Sequence, residues 1–191
     1  VMHSKARLTY NKAAKILVDG DEALRNEYAH VVSHLEDLYA LFKVLSKSRK
    51  KRGAIDFDTT ETRIIFDDNG KIEDIVPVMR NDAHRIIEEC MLAANVAAAR
   101  FFERRKMPSI YRIHDLPQLE KLEDLRAFLG QLGLSLGGGD KPTAIDYSKL
   151  LVEVKGRPDA ELIQTVLLRS MPRAEYNPVN IGHFGLAHEN Y

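Results

Sequence analysis

The strongest constraint on the fold is a seam of large apolar side chains: Leu24, Tyr28, Val31, Leu35, Leu38, Phe42 and Leu45 recur at alternating steps of four and three. That spacing puts them on one face of a long helix, and a face so apolar needs a partner. The register lasts about three heptads, short for an intermolecular coiled coil, so the partner is expected inside the chain. Asp21 is positioned to cap this helix. A shorter one is expected before it, from Thr9 as cap to Val18, with Gly20 as its stop. The long helix runs to about Lys50, into Lys47-Ser48-Arg49-Lys50-Lys51-Arg52, and ends at Gly53. Cations near a helix C-terminus are favoured by the helix dipole even without a ligand. The same cluster suits a polyanion, which makes Lys50 and Arg52 candidate phosphate contacts.

After Gly53 the apolar period changes to two. Ala54 to Phe57, Thr62 to Asp67 and Ile72 to Met79 read as three short strands, with Asp67-Asp68-Asn69-Gly70 as a hairpin turn and Pro77 at an edge. Asn81 or Asp82 then caps a second long helix whose apolar face is expected to carry Ala83, Cys90, Ala94, Ala97 and Phe101, flanked by Ile87 and Ala98. Pro108 breaks it and Ile110 to His114 suits a strand. Helical spacing returns through Leu119, Leu122, Leu125 and Leu129, and again over Ala144 to Val154 and Asp159 to Met171. Gly137-Gly138-Gly139 reads as a flexible connector without the phosphate-binding loop pattern, and Gly182 to Ala187 as a final strand. The expected class is α+β, with long helices packed on a small antiparallel sheet. Its pieces would be a helical hairpin over 1–52, a strand meander over 53–80, and a mostly helical remainder over 81–191 ending in a strand.

Composition narrows the function classes. Among 191 residues, 28 Lys and Arg balance 28 Asp and Glu, so no global field draws a polyanion and any nucleic-acid contact must come from local clusters. A single cysteine, Cys90, excludes a disulfide framework and any zinc site built on paired thiols. No apolar run approaches the ~20 residues that span a bilayer, and no charged segment followed by a hydrophobic stretch opens the chain. A reducing cytosol and no membrane are therefore expected. Both ends read as structured sequence, as expected of an internal piece.

Few constellations could carry chemistry. Alternation on a strand would direct Asp56 and Asp58 to one face and Phe57 to the other. The carboxylates could hold magnesium, although aspartates at strand ends are also common turn chemistry and no third ligand stands nearby in sequence. Phe57 could stack on a nucleobase or simply join the core. His84, Glu88 and Asn95, spaced by four and seven, align along one polar stripe of the second long helix. The bland reading is a His84–Glu88 pair at helical spacing; the functional one has Glu88 accepting hydrogen bonds from ribose hydroxyls. Arg7, Tyr10, Arg80, His114, His183 and Tyr191 are each compatible with binding but uninformative alone. No Ser-His-Asp order, His-Glu-x-x-His motif or paired cysteine motif is present.

Four blocks in order are more specific than any of these. Ser4-Lys5-Ala6-Arg7-Leu8-Thr9-Tyr10, Arg80-Asn81-Asp82-Ala83-His84-Arg85-Ile86-Ile87-Glu88-Glu89-Cys90-Met91, Leu168-Arg169-Ser170-Met171 and His183-Phe184-Gly185-Leu186-Ala187 resemble the catalytic RNB domain of the ribonuclease R type of exoribonuclease. The resemblance covers essentially the whole chain. It implies processive 3′→5′ hydrolysis of single-stranded RNA to nucleoside 5′-monophosphates by a monomeric parent enzyme that uses magnesium. The family's metal ligands form a D-x-D-D cluster expected upstream, and an arginine motif, T-S-P-I-R-R-Y, is expected soon after Tyr191. The resemblance therefore puts no catalytic residue and no metal ligand in this chain, with Asp56 and Asp58 as decoys. Three positions carry over as RNA contacts: Tyr10 as the tyrosine that sets the 3′-terminal nucleotide, Phe57 as the aromatic that stacks on threaded bases, and Glu88 as the acid that contacts terminal riboses. Arg7, Lys50 and Arg52 are candidate RNA-backbone contacts. Two rival readings are a non-catalytic RNA-binding or helical interaction module, and a self-contained metal hydrolase built from Asp56, Asp58, His84 and Glu88.

Overall fold

A computed structural model describes residues 3–57, 62–78 and 80–191. The chain forms two compact units, Val1–Lys47 with Thr59–Leu92 and Ser48–Asp58 with Ala93–Tyr191. Two of the three boundaries fall within long helices, α3 (Ala29–Arg52) and α4 (Asp82–Arg104).

The first unit opens with α1 (Tyr10–Ala14), where the Thr9 hydroxyl accepts the Lys12 amide at 3.2 Å as a cap. The chain continues through a wider π-helical turn, Lys15–Asp19, and stops at Gly20, whose φ of 69° is the left-handed value glycine adopts freely. The Asp21 carboxylate then accepts the Leu24 amide at 3.0 Å and starts α2 (Glu22–Glu27). The single helix expected here is in fact two, divided at Tyr28 (φ −106°, ψ 23°). Tertiary contacts hold the break open. The Tyr28 hydroxyl accepts from Lys12 Nζ at 3.2 Å, and Arg25 donates to the Ile16 carbonyl at 3.1 Å, tying α2 to the turn before it. The apolar seam is only partly covered. Leu24, Tyr28, Val31, Leu35, Phe42 and Leu45 are half-buried and Leu38 is exposed, while the buried residue of α3 is Val32, beside the seam.

The expected three-stranded meander has two strands among the described residues, β1 (Thr62–Phe66) and β2 (Ile72–Pro77), paired antiparallel with Ile64 opposite Ile75 and a register shift between Ile65 and Phe66. Asp67 builds the turn as read: its carboxylate accepts the amides of Asn69 at 2.9 Å and Lys71 at 2.8 Å, and Gly70 takes φ 75°. Residues 54–57 are not a third strand of this hairpin. They belong to the second unit, where the Ile55 amide donates to the Gly185 carbonyl at 2.8 Å. Met79, the expected end of the last strand, lies outside the described residues.

At the start of α4 the Asn81 side chain accepts the Ala83 and His84 amides, the cap anticipated there. The buried face differs from the expected one. Ala83, Ile86 and Glu89 are buried in the first unit and Val96 and Ala99 in the second, while Ala94, Ala97, Phe101 and Ile87 are exposed. The alanines of α4 lie on every side of the helix, so apolarity alone does not set its rotation. Packing of Ala99 with Tyr111 and Ile113 does.

The second unit carries the main core. Leu122, Leu125 and Leu129 of α5 (Leu119–Gln131), Tyr147 and Leu150 of α6 (Ala144–Glu153), and Ile163 and Leu167 of α7 (Ala160–Ser170) form one cluster, each at most 2% exposed. Each such aliphatic side chain contributes about 1.5–3 kcal/mol through loss of contact with water. The glycine run is no loose tether. Asp146 completes a capping box with Thr143 at the head of α6, and a Cβ on Gly138 would lie 2.6 Å from that carboxylate and from Pro142 Cα. Two short strands, β3 (Tyr111–Ile113) and β4 (Glu175–Asn177), pair antiparallel. The strand expected over Gly182 to Ala187 is instead a closed turn, in which the His183 amide donates to the His188 carbonyl at 2.7 Å and His183 bridges singly to His114. Among the described residues no helix is long and apolar enough to cross a membrane.

Candidate functional site

Tyr10, the first residue of α1, is held at the mouth of an open cleft of about 430 Å³ in the first unit. Its neighbours come from three places distant in sequence: Thr9 and Asn11 beside it, Arg63, Val76, Pro77 and Val78 from the hairpin, and His84 from the first turn of α4. The Tyr10 ring stacks on the His84 ring with centroids 4.0 Å apart and planes 22° from parallel. Such offset stacking adds about 0.5–1.5 kcal/mol beyond burial.

His84 is itself fixed. Its Nδ1 lies 2.8 Å from the Asn81 side-chain oxygen, and the Asn81 amide group donates to Asn11 Oδ1 at 3.2 Å. Asn11 follows Tyr10 directly, so the chain Asn11–Asn81–His84–Tyr10 closes on itself and ties the start of α1 to the start of α4. Tyr10 remains 46% exposed, leaving ring surface for another flat group in a cleft that Arg63 also lines. Sequence patterning missed Asn11, Asn81 and Arg63. Each is an ordinary cap or strand residue until the fold brings it to the cleft.

Glu88 stands one helical turn beyond His84 on the same side of α4, outside the cleft lining. The pair suggested by spacing, His84 with Glu88, is replaced. His84 is engaged by Asn81 and Tyr10, and the Glu88 carboxylate forms an ion pair with Arg80, the residue just before the helix cap. Asn95 leaves the stripe altogether and donates to the Tyr191 hydroxyl at 3.2 Å in the second unit. Arg7 is exposed.

Phe57 belongs to the second unit, partly buried against the α5–α7 core. In the basic run, Lys50 is exposed, but Arg52 Nε donates to the Leu186 carbonyl at 3.1 Å and Arg49 pairs with Asp56 at 3.3 Å. Arg52 thereby ties down the C-terminal turn through its Nε. Asp58 lies outside the described residues. Among the described residues no group of three or more His, Cys, Asp and Glu side chains is placed to hold a metal ion.

That C-terminal turn gathers three histidines. The Gly185 amide donates to His114 Nδ1 at 3.1 Å and the Leu186 amide to His183 Nδ1 at 3.2 Å, roles that require both nitrogens to be unprotonated. The His183 ring meets those of His114 and Tyr191 edge to face, at 5.0 Å and 5.3 Å. Burial, reinforced by the neighbouring His114, pushes His183 down to about 4. Burial, with Arg52 and Arg100 near, does the same for His188.

The sequence profile of the RNB domain matches residues 1–191. The chain is 55% identical over its full length to Ribonuclease R of Vibrio parahaemolyticus and 53% identical to Ribonuclease R of Escherichia coli, and spans 23% of each of those proteins. Its fold superposes on Mycoplasma genitalium RNase R solved in complex with ribose methylated single-stranded RNA, with a TM-score of 0.86 at 28% identity, covering 98% of this chain and 29% of that one.

Proposed function

This chain belongs to the RNB domain family, and from that premise we propose that it supplies part of the RNA channel of a 3′→5′ exoribonuclease that hydrolyses single-stranded RNA to nucleoside 5′-monophosphates. The observation that carries the reading is the Tyr10–His84 stack, an aromatic platform held rigid at the edge of an open cleft beside a cation. A nucleotide presents what such a cleft accepts: a flat base for the tyrosine and a phosphate for Arg63. Base stacking on an exposed aromatic is worth about 1–3 kcal/mol and tolerates any base, as suits an enzyme that reads every nucleotide. Glu88 accepts hydrogen bonds from ribose hydroxyls, which only RNA offers in full. Phe57 stacks on bases further along the strand, and Arg7 and Lys50 meet its phosphates.

Magnesium, if bound in such an enzyme, would supply a Lewis acid to activate water. The described residues do not fit a magnesium site, since no three His, Cys, Asp or Glu side chains are placed to hold an ion, the histidines of the C-terminal turn included, and Asp56 pairs with Arg49. We place the metal ligands and the catalytic residues outside these 191 residues, so the chain alone is inactive. Its parent acts as a cytoplasmic monomer.

The test uses the complete gene product and labelled single-stranded RNA. Tyr10→Ala lengthens the limiting end product, and Glu88→Ala lowers the preference for RNA over DNA, both with thermal stability retained. Unchanged product length and selectivity would sink the reading. Magnesium-dependent release of mononucleotides by the purified 191-residue chain would overturn the claim that it is inactive alone.

A further inference from the structure

The last two turns of α4 hold a second cleft, in the other unit, of about 520 Å³, lined by Ala97, Arg100, Phe101, Arg104 and Arg105. Among the described residues no carboxylate pairs with any of the three arginines. The Arg105 guanidinium lies 4.8 Å from the centroid of the Phe101 ring, which is 48% exposed. The positive field is felt nearby: Arg100, with Arg52, helps keep the half-buried His188 ring neutral after burial itself.

The helix dipole does not account for this face. Its attraction for cations is confined to the last turn, which holds Arg104, with Arg105 just past the helix end. Arg100 lies a turn further back, at the four-residue spacing where like charges on a helix repel. Nor does a dipole explain a phenylalanine nearly half exposed between the arginines. Chain-wide charge is balanced, 28 against 28, so this is a local excess of cations around an aromatic ring. Its complement is a ligand with repeated negative charges and flat rings between them. A single-stranded nucleic acid has both, while an acidic peptide has only the charges.

We propose that the Arg100–Arg105 face of α4 binds the backbone of single-stranded RNA, with the arginines on phosphates and Phe101 against a base. The site shares no residue with the Tyr10 cleft, and that its strand is RNA rests on the function proposed above.

The test measures binding of a fluorescent single-stranded oligoribonucleotide to the purified 191-residue chain by anisotropy across a salt series. Replacing the three arginines together by glutamine (R100Q/R104Q/R105Q) lowers the slope of log affinity against log salt by about 2, from the ~0.7 expected per phosphate contact on a single strand. The lysine triple variant, R100K/R104K/R105K, restores that slope. Phe101→Ala weakens binding at least about fivefold, the lower end for one base stacked on an aromatic. Circular dichroism confirms the helical fold of each variant; should the glutamine variant unfold, Phe101→Ala and the lysine variant decide. Absence of RNA binding by the parent chain would overturn the proposal, as would an unaltered salt slope in a folded glutamine variant. So would full competition by polyglutamate of matched charge, which would assign the face to an acidic peptide.

Discussion

Tyr10 and His84 stand 74 positions apart in the chain, yet their rings stack at 4.0 Å and within 22° of parallel. The stack orients Tyr10 through His84, and His84 through Asn81. Asn81, which does not line the cleft, thereby helps set the plane of the tyrosine that does.

Removing the imidazole should release the tyrosine. His84→Ala is expected to cost about 1 kcal/mol in urea unfolding, the size of one aromatic pair. In the complete gene product it should shift end-product length in the same direction as Tyr10→Ala. His84→Phe keeps the stack and should restore product length. If the phenylalanine variant behaves like the alanine variant, the stack has no positioning role.

Glu88 is partly exposed and paired with Arg80, itself exposed. A surface pair of that kind contributes at most about 1 kcal/mol. Glu88→Gln should therefore leave the melting temperature nearly unchanged while weakening discrimination between RNA and DNA in the complete protein. A large loss of stability with selectivity intact would make Glu88 a structural residue.

The C-terminal turn should be acid-sensitive. His183 and His188 take up protons near 6.5 when unfolded but only at about 4 when folded, because burial disfavours the charged ring. Between those values the unfolded chain binds more protons. Their contribution is thus fully present above 6.5 and is lost as pH falls towards 4. Thermal melts at about pH 7 and about pH 5 should show the decline, and His183→Gln should reduce it. A flat profile across this window would contradict the neutral, half-buried imidazoles.

Gly138 is expected to be irreplaceable. Alanine there would meet the Asp146 carboxylate and Pro142 at a φ of 84°, disfavoured for any side chain. A residue forced into such a backbone region costs about 1–3 kcal/mol, and the capping box of α6 would be displaced as well. Gly139→Ala, with open space around its Cβ but a φ of 54°, should cost less. Urea melts of the two variants would show equal losses if close approach to Asp146 were unimportant.

Much of the element map was readable from residues 9–53 and 67–70, because caps and turns are made of hydrogen bonds spanning a few residues. Thr9, Asp21 and Asp67 bond to amides two to four positions on, and Gly20 and Gly53 adopt the positive φ that ends a helix. The candidate site was legible in part. Tyr10 and Glu88 stood out through the resemblance, and both lie in the first unit. The stacking partner of one and the ionic partner of the other did not stand out, since spacing along α4 suggested His84 with Glu88.

What the sequence by itself determined is therefore local: where helices start and stop, where the hairpin turns, and which short blocks mark the family. Tertiary structure alone decided the break at Tyr28, the rotation of α4, the removal of residues 54–57 from the hairpin, and the pairing of Tyr10 with His84. The physical reason is range. A cap is settled by neighbours a few bonds away, whereas the face a helix buries and the partner a side chain finds depend on groups the fold brings from tens of residues distant.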